Sequence, residues 1–281
     1  MDGVFLINKP KNWTSFDICA YLRKKTNTKK VGHCGTLDPF AEGLLIVTMG
    51  KATKIIPYLE NEDKEYLATL KLGIKTDTLD ITGKILQEKE VEKLDVEQIK
   101  RVLSSFLGHS KQTPPMYSAL KKDGLPLYVL ARDGIEVERQ QRDITISNMR
   151  LISYMNDEIT FACEVSKGTY IRVLGEDIAS KLNTIGCLSS LKRTRIGHYY
   201  LKDAKKINDI EIEDMISLND FITFIKKINV DEKTEIDIRN GKKLSLNEDE
   251  NLVLLINQNQ IPLAIYERRN DGYFYSKRGL F

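Results

Sequence analysis

Histidine is scarce in this chain, with 3 residues among 281, and none stands at metal-ligand spacing from another. The four cysteines, Cys19, Cys34, Cys163 and Cys187, lie far apart and form no CxxC pair. That spacing excludes a zinc ribbon and a disulfide framework and predicts reduced thiols in a cytoplasmic protein. No apolar run approaches the ~20 residues needed to cross a bilayer, so no membrane association is expected. The N-terminal MDGVFLINKPKNW carries no secretory pattern. A large excess of one charge is missing too. Against 43 basic residues stand 40 acidic ones, a net charge of +3, so the total alone announces no nucleic-acid partner. The HxE…PCxxC signature of zinc-dependent base deaminases is absent. Chemistry in this protein is expected to need no metal.

Local clustering says more than the total. Arg23, Lys24, Lys25, Lys29 and Lys30 lie between Leu22 and Gly35 with no acidic residue among them. A second cluster, Lys192, Arg193 and Arg195, is followed by Lys202, Lys205 and Lys206. Each cluster is consistent with a solvated face or with a surface that contacts phosphates.

The periodicity predicts irregularly alternating elements. Val4 to Ile7 reads as a strand, and Thr14 or Ser15 caps a helix reaching about Lys25. Strands are expected at Glu65 to Leu72 and Lys84 to Glu88, with the turn-rich GIKTDTLDITG between them. Asp95 to Phe106, Leu127 to Arg132 and Arg172 to Lys181 read as helices, and Asp143 to Ser153 and Glu158 to Val165 as strands. Further helical segments are expected between Asp209 and Lys226, and short strands from about Val230 onward. This order predicts an α+β fold rather than a doubly wound sheet. The division expected is a main domain over 1–228 and a small β-rich domain over 229–281. A unit of about 50 residues makes a marginal core of its own, so the second is expected to pack on the first.

The segment richest in information is Gly32 to Lys54, GHCGTLDPFAEGLLIVTMGKATK, with four glycines and one proline around its single aspartate, Asp38. Small, φ-permissive residues on both sides of an acid suit a tight loop that presents it at a cavity wall. The apolar run Gly43 to Met49 would anchor that loop in the core. Read from spacing alone, Asp38 fits equally the cap of a turn before Pro39. It also stands four residues from Glu42, and such a pair of carboxylates could serve a glycoside hydrolase.

The segment resembles the signature of the TruB family of pseudouridine synthases, GHxGTLDPxAxGxLxxxxGxATK, at every fixed position. Upstream, Lys9-Pro10 and Thr14-Ser15 resemble the family's KPxGxTS stretch, with Asn12 replacing its Gly. Asn tolerates positive φ next best, so the turn is expected to survive. Downstream, Lys64-Glu65-Tyr66, the TDTLD run, PPMYSALKKDG and Gly168 to Arg172 (GTYIR) resemble family motifs in order. The resemblance covers about residues 3 to 200.

The resemblance implies a pseudouridine synthase fold with a mixed, largely antiparallel sheet, flanking helices and a small C-terminal PUA-like RNA-binding domain. It implies isomerisation of uridine to pseudouridine at position 55 in the T loop of tRNA, by a monomer acting without guide RNA and without a cofactor. Asp38 falls on the family's catalytic carboxylate and Arg172 on its partner cation. Tyr66 falls on the tyrosine that stacks on the uracil, Tyr170 and Leu191 on two further pocket residues, and His33 on the histidine that contacts the displaced nucleotide. A uridine stacked in a loop must be flipped out before any enzyme can reach it, and an aromatic platform suits the extruded base. Both basic clusters then read as phosphate contacts. Two rival readings stay open, the guide-RNA-dependent branch that shares the GHxGTLDP core and a non-catalytic RNA-binding module.

Overall fold

The computed structural model describes residues 1–281 as a ten-stranded mixed sheet, a separate four-stranded C-terminal sheet and two two-stranded ribbons. The path through the large sheet runs Lys205–Lys206, Gly3–Lys9, Glu42–Met49, Gly186–Ile196, Lys64–Leu72, Glu158–Val165, Arg142–Met155, Gly108–Gln112. Val31–Cys34 pairs beside Glu42–Met49, and Tyr199–Tyr200 beside Gly186–Ile196. All contacts along the path are antiparallel except the first pair and the junction of Gly186–Ile196 with Glu42–Met49. The expected α+β class with a largely antiparallel sheet is what forms.

Burial follows the side-chain pattern. Lys64–Leu72 alternates strictly, so Tyr66, Ala68, Leu70 and Leu72 enter the core while the intervening residues stay half-exposed. Helices Val96–Ser104 and Ile171–Lys181 cover that face with Ile99, Leu103, Leu174 and Ile178. Gly3–Lys9 and Glu42–Met49 are buried on both faces, which accounts for their unbroken apolar runs. On one side Ile18 and Leu22 of helix Ser15–Lys25 pack against Phe5, Ile7, Leu45 and Val47. On the other, Leu254, Ile256, Ile265 and Leu280 of the C-terminal unit pack against Val4, Leu6, Leu44 and Ile46. Each such side chain contributes roughly 1.5–3 kcal/mol when fully buried, so the small sheet is docked on the main core, as expected of so short a unit. Its first strand, Lys226–Asn229, spans the 228/229 boundary and pairs in parallel with Leu252–Ile256.

Helix Ser15–Lys25 begins as its sequence requires. Thr14 accepts from the Asp17 backbone N–H, and Asp17 accepts from that of Thr14, a reciprocal capping box. Between Asp209 and Lys226 the expected helices are reduced to 3₁₀ turns and the four-residue helix Leu218–Phe221. Ile207, Ile210, Leu218, Phe221, Ile222 and Ile225 are all buried, so this stretch follows the contour of the core rather than one straight axis.

Candidate active site

Asp38 sits in the loop joining Val31–Cys34 to Glu42–Met49, and that loop is tied to the start of helix Ser15–Lys25. The Leu37 backbone N–H donates to the Ser15 hydroxyl (2.9 Å), and the Ser15 hydroxyl donates to the Leu37 carbonyl (3.2 Å). Asn12 takes φ 65° and donates its N–H to Pro39 O at 2.7 Å. The turn expected to survive a Gly-to-Asn exchange is therefore present, and it braces the Asp38 loop. Lys9, fully buried, donates to the Pro10 and Trp13 carbonyls at 2.9 and 2.6 Å.

Facing this loop is the first turn of helix Ile171–Lys181. Arg172 there grips Asp38 with two nitrogens, Nε to Oδ2 at 2.9 Å and Nη2 to Oδ1 at 3.2 Å. The same guanidinium donates to Thr78 O and Tyr117 O, each at 2.7 Å, and stands 3.8 Å from Asp80 Oδ2. With Arg172 only 3% exposed and four of its five N–H groups bonded, the orientation of this planar fork is fixed. Burial pushes the Asp38 carboxyl above the usual carboxylate range, with Asp80 adding to the rise and Arg172 opposing it. The Asp38 side chain remains 35% exposed, opening onto a cleft.

That cleft has a volume of about 530 Å³, and Asp38, Tyr66, Tyr170, Arg172 and Leu191 all line it. Burial raises the phenol pKa of both Tyr66 and Tyr170, so each is a neutral hydroxyl at ordinary pH. Gln112, itself buried, clamps the Tyr170 backbone by accepting from its N–H (2.8 Å) and donating to its carbonyl (3.1 Å). His33 is not part of the cleft lining. It lies on Val31–Cys34 with Nδ1 buried and unpartnered, and its pKa is lowered by burial and then by Arg193.

Two sequence readings are corrected. Glu42 does not join Asp38 in lining the cleft described above, and it pairs with Lys192 at 2.8 Å. Nor is Lys192–Arg195 a free cationic surface. Arg195 pairs with Glu164 at 2.7 Å, and Arg193 is 1% exposed, bonded within the core. The sequence reading leaves Gln112 unmarked, holds Asp80 only within the TDTLD run, and gives Arg193 the role of a phosphate contact. No group of three or more His, Cys, Asp or Glu side chains is arranged to hold a metal ion.

A family model described as TruB family pseudouridylate synthase (N terminal domain) matches residues 23–171. The chain is 39% identical to tRNA pseudouridine synthase B of Mesoplasma florum over 278 residues, covering 99% of this chain and 97% of that protein. With the protein of the same name from Clostridium tetani it shares 40% identity over 271 residues, covering 95% and 92%. A solved structure of an H/ACA RNP bound to a substrate RNA containing 2'-deoxyuridine includes a chain that matches with a TM-score of 0.74. The match covers 99% of this chain and 85% of that one, and at 19% identity it is a likeness of fold.

Proposed function

This chain belongs to the TruB family of pseudouridylate synthases, and from that membership we propose that it isomerises the uridine at position 55 of the tRNA T loop. It is an isomerase that acts on tRNA. The observation that carries the finer reading is the two-point grip of Arg172 on Asp38 at the wall of a cleft lined by Tyr66, Tyr170 and Leu191.

The isomerisation breaks the C1'–N1 bond with its electron pair going to the base, turns the base, and joins C5 to C1'. A carboxylate serves by attacking C1' or by removing the proton at C2' to give a glycal, and both routes need Asp38 ionised. Arg172 supplies the compensating charge and aims the oxygens. The cleft accepts the extruded base, with Tyr66 stacking on it and Tyr170 and Leu191 completing the wall. His33 contacts the displaced nucleotide. The exposed Lys24, Lys29 and Lys30 lie against phosphates of the T arm, and the C-terminal sheet acts as a PUA-like RNA-binding unit. The enzyme works in the cytoplasm as a monomer, without guide RNA and without a cofactor.

The test is to incubate the purified protein with unmodified tRNA alone and map pseudouridine by nucleotide. A single product in the T loop is expected, and its absence unless guide RNA is added would overturn the reading. Asp38→Asn, nearly isosteric, should abolish product while tRNA affinity stays within a few-fold of wild type. Substantial turnover by that variant would remove Asp38 from the chemistry.

A further inference from the structure

Arg193 is the largest fully buried side chain in the protein, and no carboxylate lies within ion-pairing distance of it. A cation held in the interior without a counter-charge is costly, so its retention calls for a return. Its Nη2 donates to Gly35 O at 2.9 Å, and its Nε donates to Leu44 O at 2.8 Å. Gly35 and Leu44 bracket the loop that carries Asp38, so one guanidinium staples both of its ends.

Two signature glycines make room for this side chain and its strand. A Cβ on Gly35 would stand 3.3 Å from Arg193 Nη1, and one on Gly43 would run into the Arg193 backbone, with its N at 2.8 Å. Both glycines also take positive φ, 70° and 108°. The sheet register fixes the remaining contact. Arg193 is the cross-strand partner of Gly43 on one side and of Tyr66 on the other. Cross-strand partners project from the same face of a sheet, so the Arg193 and Tyr66 side chains are neighbours, and both residues line the cleft.

We propose that Arg193 is a positioning residue for the isomerisation, stapling the Asp38 loop while holding the Tyr66 phenol oxygen so that it can carry a proton between two atoms of the base. The proposal rests on the active-site reading above. Converting uridine to pseudouridine moves one hydrogen from C5 to N1. When C1'–N1 breaks, the base takes the electron pair and accepts the Tyr66 proton, leaving a phenolate beside Arg193. After C5 bonds to C1', the C5 proton passes to that phenolate, and the C–H pair restores the C5=C6 double bond. The cycle closes with Tyr66 a phenol again and no proton gained or lost. A guanidinium beside the phenol oxygen favours the transient anion by its charge.

The titratable groups facing Tyr66 from the surrounding elements are few. Cys163, its partner on Glu158–Val165, is pushed up to about 12 by burial and stays neutral, while Asp38 opposes the phenolate. Arg193 alone among them favours it.

The experiment places 3,5-difluorotyrosine at position 66 of the full-length protein and follows its phenol by fluorine NMR as pH is raised. Arg193→Met should raise the titration midpoint by about one pH unit or more, and Arg193→Lys, which keeps the charge but not the fork, by less. On tRNA, Arg193→Met should slow single turnover on the order of 100-fold or more with affinity changed only a few-fold. If only the lysine variant folds, the proposal stands or falls on its midpoint. An unmoved midpoint in a folded variant overturns the role of Arg193. Full activity of Tyr66→Phe instead overturns the proton role of Tyr66, and would leave a shifted midpoint in the Arg193 variants standing.

Discussion

Arg172→Lys keeps the charge beside Asp38 and removes the fork. The guanidinium makes two bonds to the Asp38 carboxylate and one each to Thr78 O and Tyr117 O, and it lies 3.8 Å from Asp80. A lysine ammonium is a single point and cannot serve acceptors on three sides of a planar group. At least two charge-assisted bonds are lost, each contributing about 1.5–3 kcal/mol, so destabilisation should be about 3–6 kcal/mol. That is a large share of a net stability of roughly 5–15 kcal/mol. For a chain of this size it corresponds to a fall in melting temperature of roughly 10 °C or more. Activity should fall further than stability suggests, because the Asp38 oxygens lose their aim as well as their counter-charge. The assay pairs urea unfolding with single-turnover pseudouridine formation at a temperature where the variant remains folded. A variant matching wild type in both midpoint and rate would show that the fork does not organise this site.

Charge removal by Lys29→Gln and Lys30→Gln together should weaken tRNA binding and flatten the slope of log affinity against log salt by about 1.5, with turnover at saturating tRNA little changed. An unaltered slope would return this segment to an ordinary solvated face. Lys9 is fully buried, and desolvation brings its pKa from 10.5 down to about 8. Both folded and unfolded chains carry this charge below pH 8, where the penalty is on the order of 3 kcal/mol. As pH rises from 8 to 10.5 the folded state sheds the proton first and the penalty fades. Wild type should therefore gain about 2 kcal/mol relative to Lys9→Met between pH 7.5 and 10, read from urea midpoints of both proteins. A difference independent of pH would mean that Lys9 titrates normally.

Much of this architecture is legible from local pattern. The alternation in Lys64–Leu72, the capping box at Thr14 and Asp17, and the positive φ of Asn12 each follow from residues close in sequence. The glycine-rich loop around Asp38 reads correctly as a cavity wall for the same reason. Gly186–Ile196 is illegible because its inward face carries Arg193 where a strand pattern calls for an apolar residue, and its carbonyl partners lie about 150 residues away. The ends of the Arg172 fork are equally non-local, since Thr78, Asp80 and Tyr117 come from two separate turns. Family resemblance marks those turns as segments. Only the fold shows that their carbonyls, and not their side chains alone, hold the arginine.

Under the proposed mechanism, in which the base leaves with an electron pair, the disposition of charge matters more than the net charge of only +3. Many surface cations are spent locally, as in Lys192 with Glu42 and Arg195 with Glu164. In the interior the balance differs. Lys9, Lys64, Arg172 and Arg193 are all buried around the cleft, against the carboxylates of Asp38 and Asp80. Lys9 and Lys64 are held by backbone carbonyls, which orient an ammonium without cancelling its charge. Arg193 is held the same way. A site built from paired ions would present little net field to a departing base, whereas cations seated on neutral carbonyls keep theirs. Charge that matters to the bond being broken thus sits where water screens it least, and the total over the whole sequence conceals it.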